Sequence, residues 1–374
     1  MRRTVDHLVI GGGLAGSMVA IRLAAAGRDV TLLEKERSAR HKVCGEFLSR
    51  EAVEYLKSAG INPFDLGAAA IRSVRLSSKR RQVEAVLPFT ALSLSRCVLD
   101  AAMLARAAES GCEVISGALV DSLKMQDSFW LAQLRGRESF RARTVFLANG
   151  KHDLHGWERG QGVQGDLVGF KLHWQLAHPQ IEALRGYMEL FLFPGGYGGL
   201  SLVEGDVANL CLVVRRTELR RMGGWNTQLA AILADNRLLR QRLQGATALW
   251  ERPLAVSPIP YGYLAGGVPG LWRVGDQAAV VPSFTGDGMS IALHSGALAA
   301  QMLLEGASAE DYHRSLRAQL RPGMSLATLI SRAMVSGAGR ALAPLFLSLF
   351  PNAMTWIARS TRIPEHSMLA KPSG

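Results

Sequence analysis

The sequence predicts an α/β chain in which a parallel-sheet domain is interrupted by an antiparallel β-sheet domain and closed by C-terminal helices. Three observations carry that expectation. Residues 5–34 run strand, glycine turn, helix and strand, a complete βαβ unit in about 30 residues. The stretch 168–215 reads as extended segments parted by short turns: GFKLHW, YMELFLFPGGYGGLSLVEG and NLCLVV. Residues 271–306 then return to the buried strand, turn and helix of the beginning.

Each element has a local reason. VDHLVI (5–10) is a short apolar strand, and SMVAIRLAAAG (17–27) is a helix of small and apolar residues stopped by Gly27. DVTLLE (29–34) is a second buried strand. Helical periodicity recurs at 50–59 and 98–110, and strands are expected at 112–116, 118–124 and 144–150. Residues 225–246 form a charged helical segment, 271–276 a buried strand and 288–306 a long helix, with interrupted helices from 308 to 360. The division that follows gives residues 1–75, 95–165 and 268–307 to one discontinuous domain. Residues 76–94 and 166–267 form a second domain, and 308–374 a C-terminal helical region.

A chain of 374 residues with 48% hydrophobic and 20% charged residues is folded and larger than one simple core. The net charge of +12 favours anionic partners. The basic residues cluster only briefly, at Lys79-Arg80-Arg81, Arg215-Arg216 and Arg220-Arg221, without zinc-finger, basic-zipper or aromatic nucleic-acid-binding patterns; no nucleic-acid partner is expected. Cys44, Cys97, Cys112 and Cys211 show no CxxC spacing, so neither a disulfide framework nor a metal site is expected. The start, MRRTVDHLVIGGG, enters a strand directly, and the expected setting is cytoplasmic.

Gly11, Gly13 and Gly16 match G-x-G-x-x-G between a strand and a helix. The first permits the tight turn, the second the approach of a pyrophosphate, and the third the packing of helix on strand. Leu14 and Ala15 open that helix, whose free amides and dipole suit phosphate. Glu34, 21 residues beyond Gly13, ends the second strand where a carboxylate receives a ribose hydroxyl, and Lys35 follows it. A second signal lies far downstream. Gly275 and Asp276 follow a buried strand, and Gly286, Asp287, Gly288 and Met289 open a helix. The aspartate at the strand end suits a ribityl hydroxyl, and the helix amides suit an anionic flavin ring. The two signals together imply FAD more strongly than NAD.

The combination of GGGLAG, SLSRCVLDAAML, FLANGKHD and GDQAAVVPSFTGDGMSIAL resembles the FAD-dependent superfamily of class A flavoprotein monooxygenases, flavin-dependent halogenases and geranylgeranyl reductases. HKVCGEFLS (41–49) and FLFPGGYGGL (191–200), the latter in place of an aromatic-rich strand, are most similar to the geranylgeranyl reductase branch. The resemblance implies a Rossmann-like FAD-binding domain with an inserted antiparallel substrate domain. It also implies that Arg96 reaches the FAD, that Asp276 holds the ribityl chain, and that Gly286, Gly288 and Met289 lie against the isoalloxazine. Val120 would meet the adenine. Asn149 stands where NADPH-using hydroxylases carry Asp, so the electron source is either NAD(P)H or a separate reductase. The Trp-x-Trp-x-Ile-Pro signature of tryptophan halogenases is absent, which weighs against halogenation.

Cys44 and Gly45 form a tight turn expected beside the flavin, with Cys44 either catalytic or a small cofactor-lining residue. Tyr197, read as part of a glycine loop, is the second catalytic candidate, lining a pocket. Lys171 and His173 share one strand face, either a substrate cavity or exposed sheet. Glu46 is a ribose or loop partner, or a solvated acid. Residues 341–358 lack charge and are interrupted by Pro344, Pro351 and Asn352, so they read as paired short helices or as a lipid-facing patch peripheral to the inner membrane face. The expected activity is oxidation–reduction on FAD. Hydroxylation of a lipophilic aromatic or polyketide-like molecule, with oxygen activated at flavin C4a, leads; reduction of a prenyl chain, halogenation and flavin binding without catalysis are the alternatives.

Overall fold

The computed structural model describes residues 2–136, 139–350 and 352–369. A seven-stranded sheet organises the first domain. Its central strands Arg2–Ile10, Val30–Glu34 and Ser139–Leu147 run parallel; the helix Leu14–Ala25 makes the crossover between the first two, and the third is entered through an antiparallel meander. Ser139–Leu147 is a branch point. Its first half pairs with the antiparallel strand Phe129–Leu134, and its second half, from Val145, with the parallel strand Leu271–Arg273. The chain thus returns to the first sheet after more than a hundred residues elsewhere.

The helix Leu14–Ala25 is buried around nearly its whole circumference, which its small and apolar composition permits. It lies against Gly288–Leu304, and at Gly296 a Cβ would stand 2.4 Å from the Ala15 carbonyl oxygen. Only glycine allows that approach.

The nine-stranded second sheet is antiparallel except where Gly186–Phe193 runs parallel to Ala69–Ser78. Ala69–Ser78 belongs to this sheet from its first residue, so the expected boundary between residues 75 and 76 cuts a strand; Phe47–Leu48 joins the same sheet at its edge. Alternation sorts its two faces. Phe191 and Phe193 pack with Ile181, Ile232 and Leu239 under helices His178–Leu184, Trp225–Asp235 and Arg237–Arg242. Leu190, Leu192 and Tyr197 face the other way.

The glycines of PGGYGG acquire a reason here. The turn is only Pro194-Gly195, and Gly196–Leu202 is strand, so Tyr197 sits in a strand and not in the expected loop. A Cβ at Gly196 would lie 2.4 Å from the Phe193 ring, and one at Gly198 2.4 Å from the Phe191 ring. The missing side chains leave room for the two phenyl rings to cross the neighbouring strand.

The chain closes with Ala309–Met334, Gly337–Leu349 and Asn352–Ser360. The last two pack on the hairpin Ala69–Ser78 and Arg81–Ser93, at the open edge of the sheet's cavity face.

Candidate functional site

The strand–turn–helix at the N-terminus builds a phosphate cradle. At Gly11 a Cβ would stand 2.5 Å from the Ala148 carbonyl oxygen, and at Gly16 2.0 Å from the Gly11 carbonyl oxygen; both are closed to any side chain. Gly13 differs, since its Cβ direction is open, with Arg96 Nη2 at 3.6 Å and Lys42 Nζ at 3.9 Å. An open approach bordered by two cations, beside a helix N-terminus, fits a diphosphate. Glu34 is buried and accepts the Gly12 amide at 2.7 Å and the Glu36 amide at 3.0 Å, which fixes its carboxylate at the strand end. The Glu34 carbonyl accepts the Ala118 amide, drawing the segment that leads to buried Val120 alongside. Lys35 lies at the rim, 4.0 Å from Glu36.

Arg96 begins the helix Arg96–Glu109, capped by Ser95, and forks onto Asp100 at 2.8 and 3.0 Å, while Lys42 reaches the same carboxylate at 2.7 Å. Burial works against the guanidinium's charge, but Asp100, Cys44 and Asp276 together hold its pKa above the ordinary value. The Arg96 charge is thereby fixed between the cradle and the Cys44 turn. The pocket beyond is lined by Cys44, Gly45, Asp276, Gly286, Gly288 and Met289 from the two glycine-rich segments. Asn149 donates to the His152 carbonyl, and its own buried Oδ1 has no partner among the described residues. Gly275 donates to Ser295 Oγ, which pins the strand end carrying Asp276 to the helix Gly288–Leu304. The residues present fit FAD.

Asp287 differs from the expectation, because its side chain does not line the pocket. It is buried, and Oδ1 accepts from Arg362 at 2.7 Å, joining the C-terminal segment to the cofactor turn. Burial pushes its carboxyl up to about 6 against the pull of Arg362.

From the cofactor end runs a cavity of about 580 Å³. Its walls are mostly apolar: Val74, Leu76, Met188, Leu190 and Leu192 from the second sheet, Ile330 and Met334 from the helix Ala309–Met334, Leu342, Phe346 and Leu347 from the next helix, with Phe47 and Phe284 nearer the cofactor turn. Polar groups are few. Tyr197, Tyr261 and Ser283 stand together on one wall, and Tyr197 Oη lies 3.3 Å from Ser331 Oγ. Burial raises both phenols above their ordinary pKa, so each keeps its proton at neutral pH.

The buried cluster behind Cys44 was missed by the sequence reading. Glu46, with φ of 58°, is fully buried and accepts from Lys171, from His173 Nε2 at 2.9 Å and from the Arg96 amide at 2.7 Å. Its own carbonyl accepts from Ser93 Oγ and the Leu94 amide. Glu46 is therefore neither a solvated acid nor a ribose partner, and the face carrying Lys171 and His173 is no exposed sheet. Burial pushes the Glu46 carboxyl up, but the His173 hydrogen bond and the Lys171 charge outweigh it and hold the group below the usual carboxylate range. His173 stacks on Trp250 at 4.8 Å, with His41 edge-on at the same distance. The available signal was two ionisable residues inside the otherwise apolar GFKLHW, which demanded a buried counter-charge.

Cys44 lies over this cluster. Its Sγ accepts the Glu46 amide at 3.4 Å, and its carbonyl accepts from Asn209 at 3.2 Å. The thiol thus has a fixed position at the junction of cofactor pocket and cavity.

Residues 4–149 match the family described as FAD binding domain. The menaquinone reductase of Mycolicibacterium smegmatis is 26% identical over 332 residues, covering 82% of this chain and 78% of that protein. Digeranylgeranylglycerophospholipid reductase 2 of Methanopyrus kandleri is 28% identical over 329 residues, with the same two coverages. A solved flavin-dependent brominase superposes with a TM-score of 0.76 at 16% identity, covering 98% of this chain and 96% of that one, a likeness of fold. The chain carries an FAD-binding domain and is an FAD-dependent oxidoreductase.

Proposed function

We propose that this oxidoreductase reduces a carbon–carbon double bond in the prenyl chain of a lipid. The observation that carries the proposal is the cavity, predominantly apolar and leading from the cofactor end to the C-terminal helices. Away from the Tyr197, Tyr261 and Ser283 wall, such a lining offers a hydrocarbon chain contact without orienting a polar substituent. The two reductases related over four-fifths of the chain support the same reading, since each is named for a prenylated substrate.

Bound FAD, once reduced by NAD(P)H or a separate reductase, supplies the hydride. The protein supplies the rest. The cradle at Gly13 and Arg96 anchors the diphosphate, and the segments bearing Asp276 and Gly288–Met289 flank the flavin end of the cavity. The apolar walls keep water from the reacting carbons. Saturation also needs a proton at the second carbon. Cys44, at the junction, and Tyr197 and Tyr261, whose phenols remain protonated, are the groups positioned to hold it.

Hydroxylation of a lipophilic aromatic is the second reading, favoured by the hydroxyl wall of Tyr197, Tyr261 and Ser283, which suits an oxygen-bearing ring. One experiment separates the two. The holoprotein is reduced anaerobically with stoichiometric dithionite and mixed with a prenylated phenol, whose ring, unlike a quinone, cannot itself accept the flavin's electrons. Flavin reoxidation without oxygen, giving a product heavier by two hydrogens, supports the reductase. Reoxidation that requires oxygen, giving a product heavier by one oxygen atom, overturns it.

A further inference from the structure

We infer that the C-terminal helix pair docks on an anionic phospholipid bilayer and opens the cavity directly into it. The helix Gly337–Leu349 and the segment Asn352–Ser367, which begins with the helix Asn352–Ser360, meet at a bend of 110°, and among the described residues no single helix is long and apolar enough to cross a membrane. The pair instead presents one apolar outer surface. Leu342, Leu345, Phe346, Leu349, Phe350 and Trp356 are each about half exposed or more. An aqueous surface gives no reason for six large apolar side chains to gather there. Two of them, Leu342 and Phe346, also line the cavity, so the apolar surface and the cavity wall are continuous.

Charge identifies the occupant. A groove beside the first turn of Gly337–Leu349 is lined by Lys79, Arg80, Arg81, Arg237, Arg240 and Arg340. Arg340 is paired with Asp235 at 3.1 Å, whereas the other five make no ion pair with a carboxylate among the described residues. The Ser78 hydroxyl bonds the Arg340 carbonyl, so this basic hairpin end is tied to the apolar helix. A bare apolar face suits a second protein copy equally well, but unpaired cations at its border would repel the same cations of a symmetry mate. Anionic headgroups above a hydrocarbon layer match both halves at once. A helix of 13 residues is about 20 Å long, enough to lie in the headgroup region with its apolar side immersed. The surface also accounts for part of the charge of +12 that a single cofactor diphosphate leaves unbalanced.

Docking is read without turnover, so its failure and that of the proposed reaction are distinguishable. The FAD-loaded full chain is floated with vesicles of phosphatidylcholine alone, or with about 30 mol% phosphatidylglycerol. The expected result is flotation with the anionic vesicles, at least about tenfold weaker with the neutral ones and weakened by high salt. Leu349→Glu/Trp356→Glu, which lies outside the cavity wall, is expected to lower binding at least about tenfold with unchanged flavin absorbance and circular dichroism. Arg80→Glu/Arg240→Glu is expected to remove the preference for phosphatidylglycerol. The inference is overturned if the wild type fails to float, or if the apolar double variant floats equally well. It is also overturned if light scattering shows a dimer that Leu349→Glu/Trp356→Glu dissociates.

Discussion

Replacing Glu46 by glutamine removes one negative charge from a site where two potentially cationic groups face it. Lys171 is fully buried and His173 nearly so, and Glu46 is the carboxylate that meets both. The amide can still accept from the Arg96 N–H or from His173, so hydrogen bonding is partly kept and the loss is chiefly the counter-charge of Lys171. Breaking a buried pair by removing one partner costs about 3–5 kcal/mol, because the other is left uncompensated. A loss near the lower bound, about 3 kcal/mol, is expected from the retained bonds. The assay is equilibrium urea unfolding of the FAD-loaded protein at fixed cofactor concentration, followed by flavin fluorescence and far-ultraviolet circular dichroism. Glu46→Gln/Lys171→Met deletes both charges and should recover to within about 1 kcal/mol of wild type, since an apolar pair of similar volume is often neutral. The pH dependence has a definite sign. Glu46 is held below its unfolded value, so its contribution is full above the ordinary carboxylate range and is lost as pH falls through the lowered folded pKa. A single variant within about 0.5 kcal/mol of wild type, or a double variant less stable than the single one, refutes the reasoning.

Three further outcomes are expected. Gly13→Glu places a carboxylate in the one open approach of the cradle and should weaken FAD binding by more than about a hundredfold, some 3 kcal/mol; purified variant with full flavin absorbance contradicts the assignment. Cys44→Ala should retain FAD and lower turnover by about tenfold or more, and unchanged kinetics would make Cys44 a lining residue only. Asp287 has a folded pKa of about 6, above its unfolded value, so its ionisation makes stability fall as pH rises through that range. Asp287→Asn should therefore gain on wild type by as much as about 2–3 kcal/mol between about pH 4 and pH 7, and parallel stability curves would discount the shift.

Local patterns reached far into this structure. The βαβ unit, the helix at 50–59, the antiparallel middle and the helix after Gly288 are legible because each depends on contacts within a few dozen residues. The cradle was legible for the same reason, since glycine spacing is itself the geometric requirement. The Glu46 cluster was not, because its members lie more than a hundred residues apart and no local rule pairs them. The strand around Tyr197 misled the reading, because glycines that make room for Phe191 and Phe193 look the same in sequence as glycines that make turns. Asp287 was assigned to the cofactor from its neighbours, yet its side chain answers to Arg362, 75 residues later.

The contact of Ala15 with Gly296 has a consequence for synthesis. The glycine that covers Ala15 is synthesised 281 residues after it. At about 5–20 residues per second, that interval is roughly 15–60 s. Through it, an apolar helix and a diphosphate cradle exist without their closing partner. A nascent chain halted before Gly296 therefore cannot complete the cofactor domain, and synthesis of the helix Gly288–Leu304 is the step at which the protein becomes able to hold its flavin.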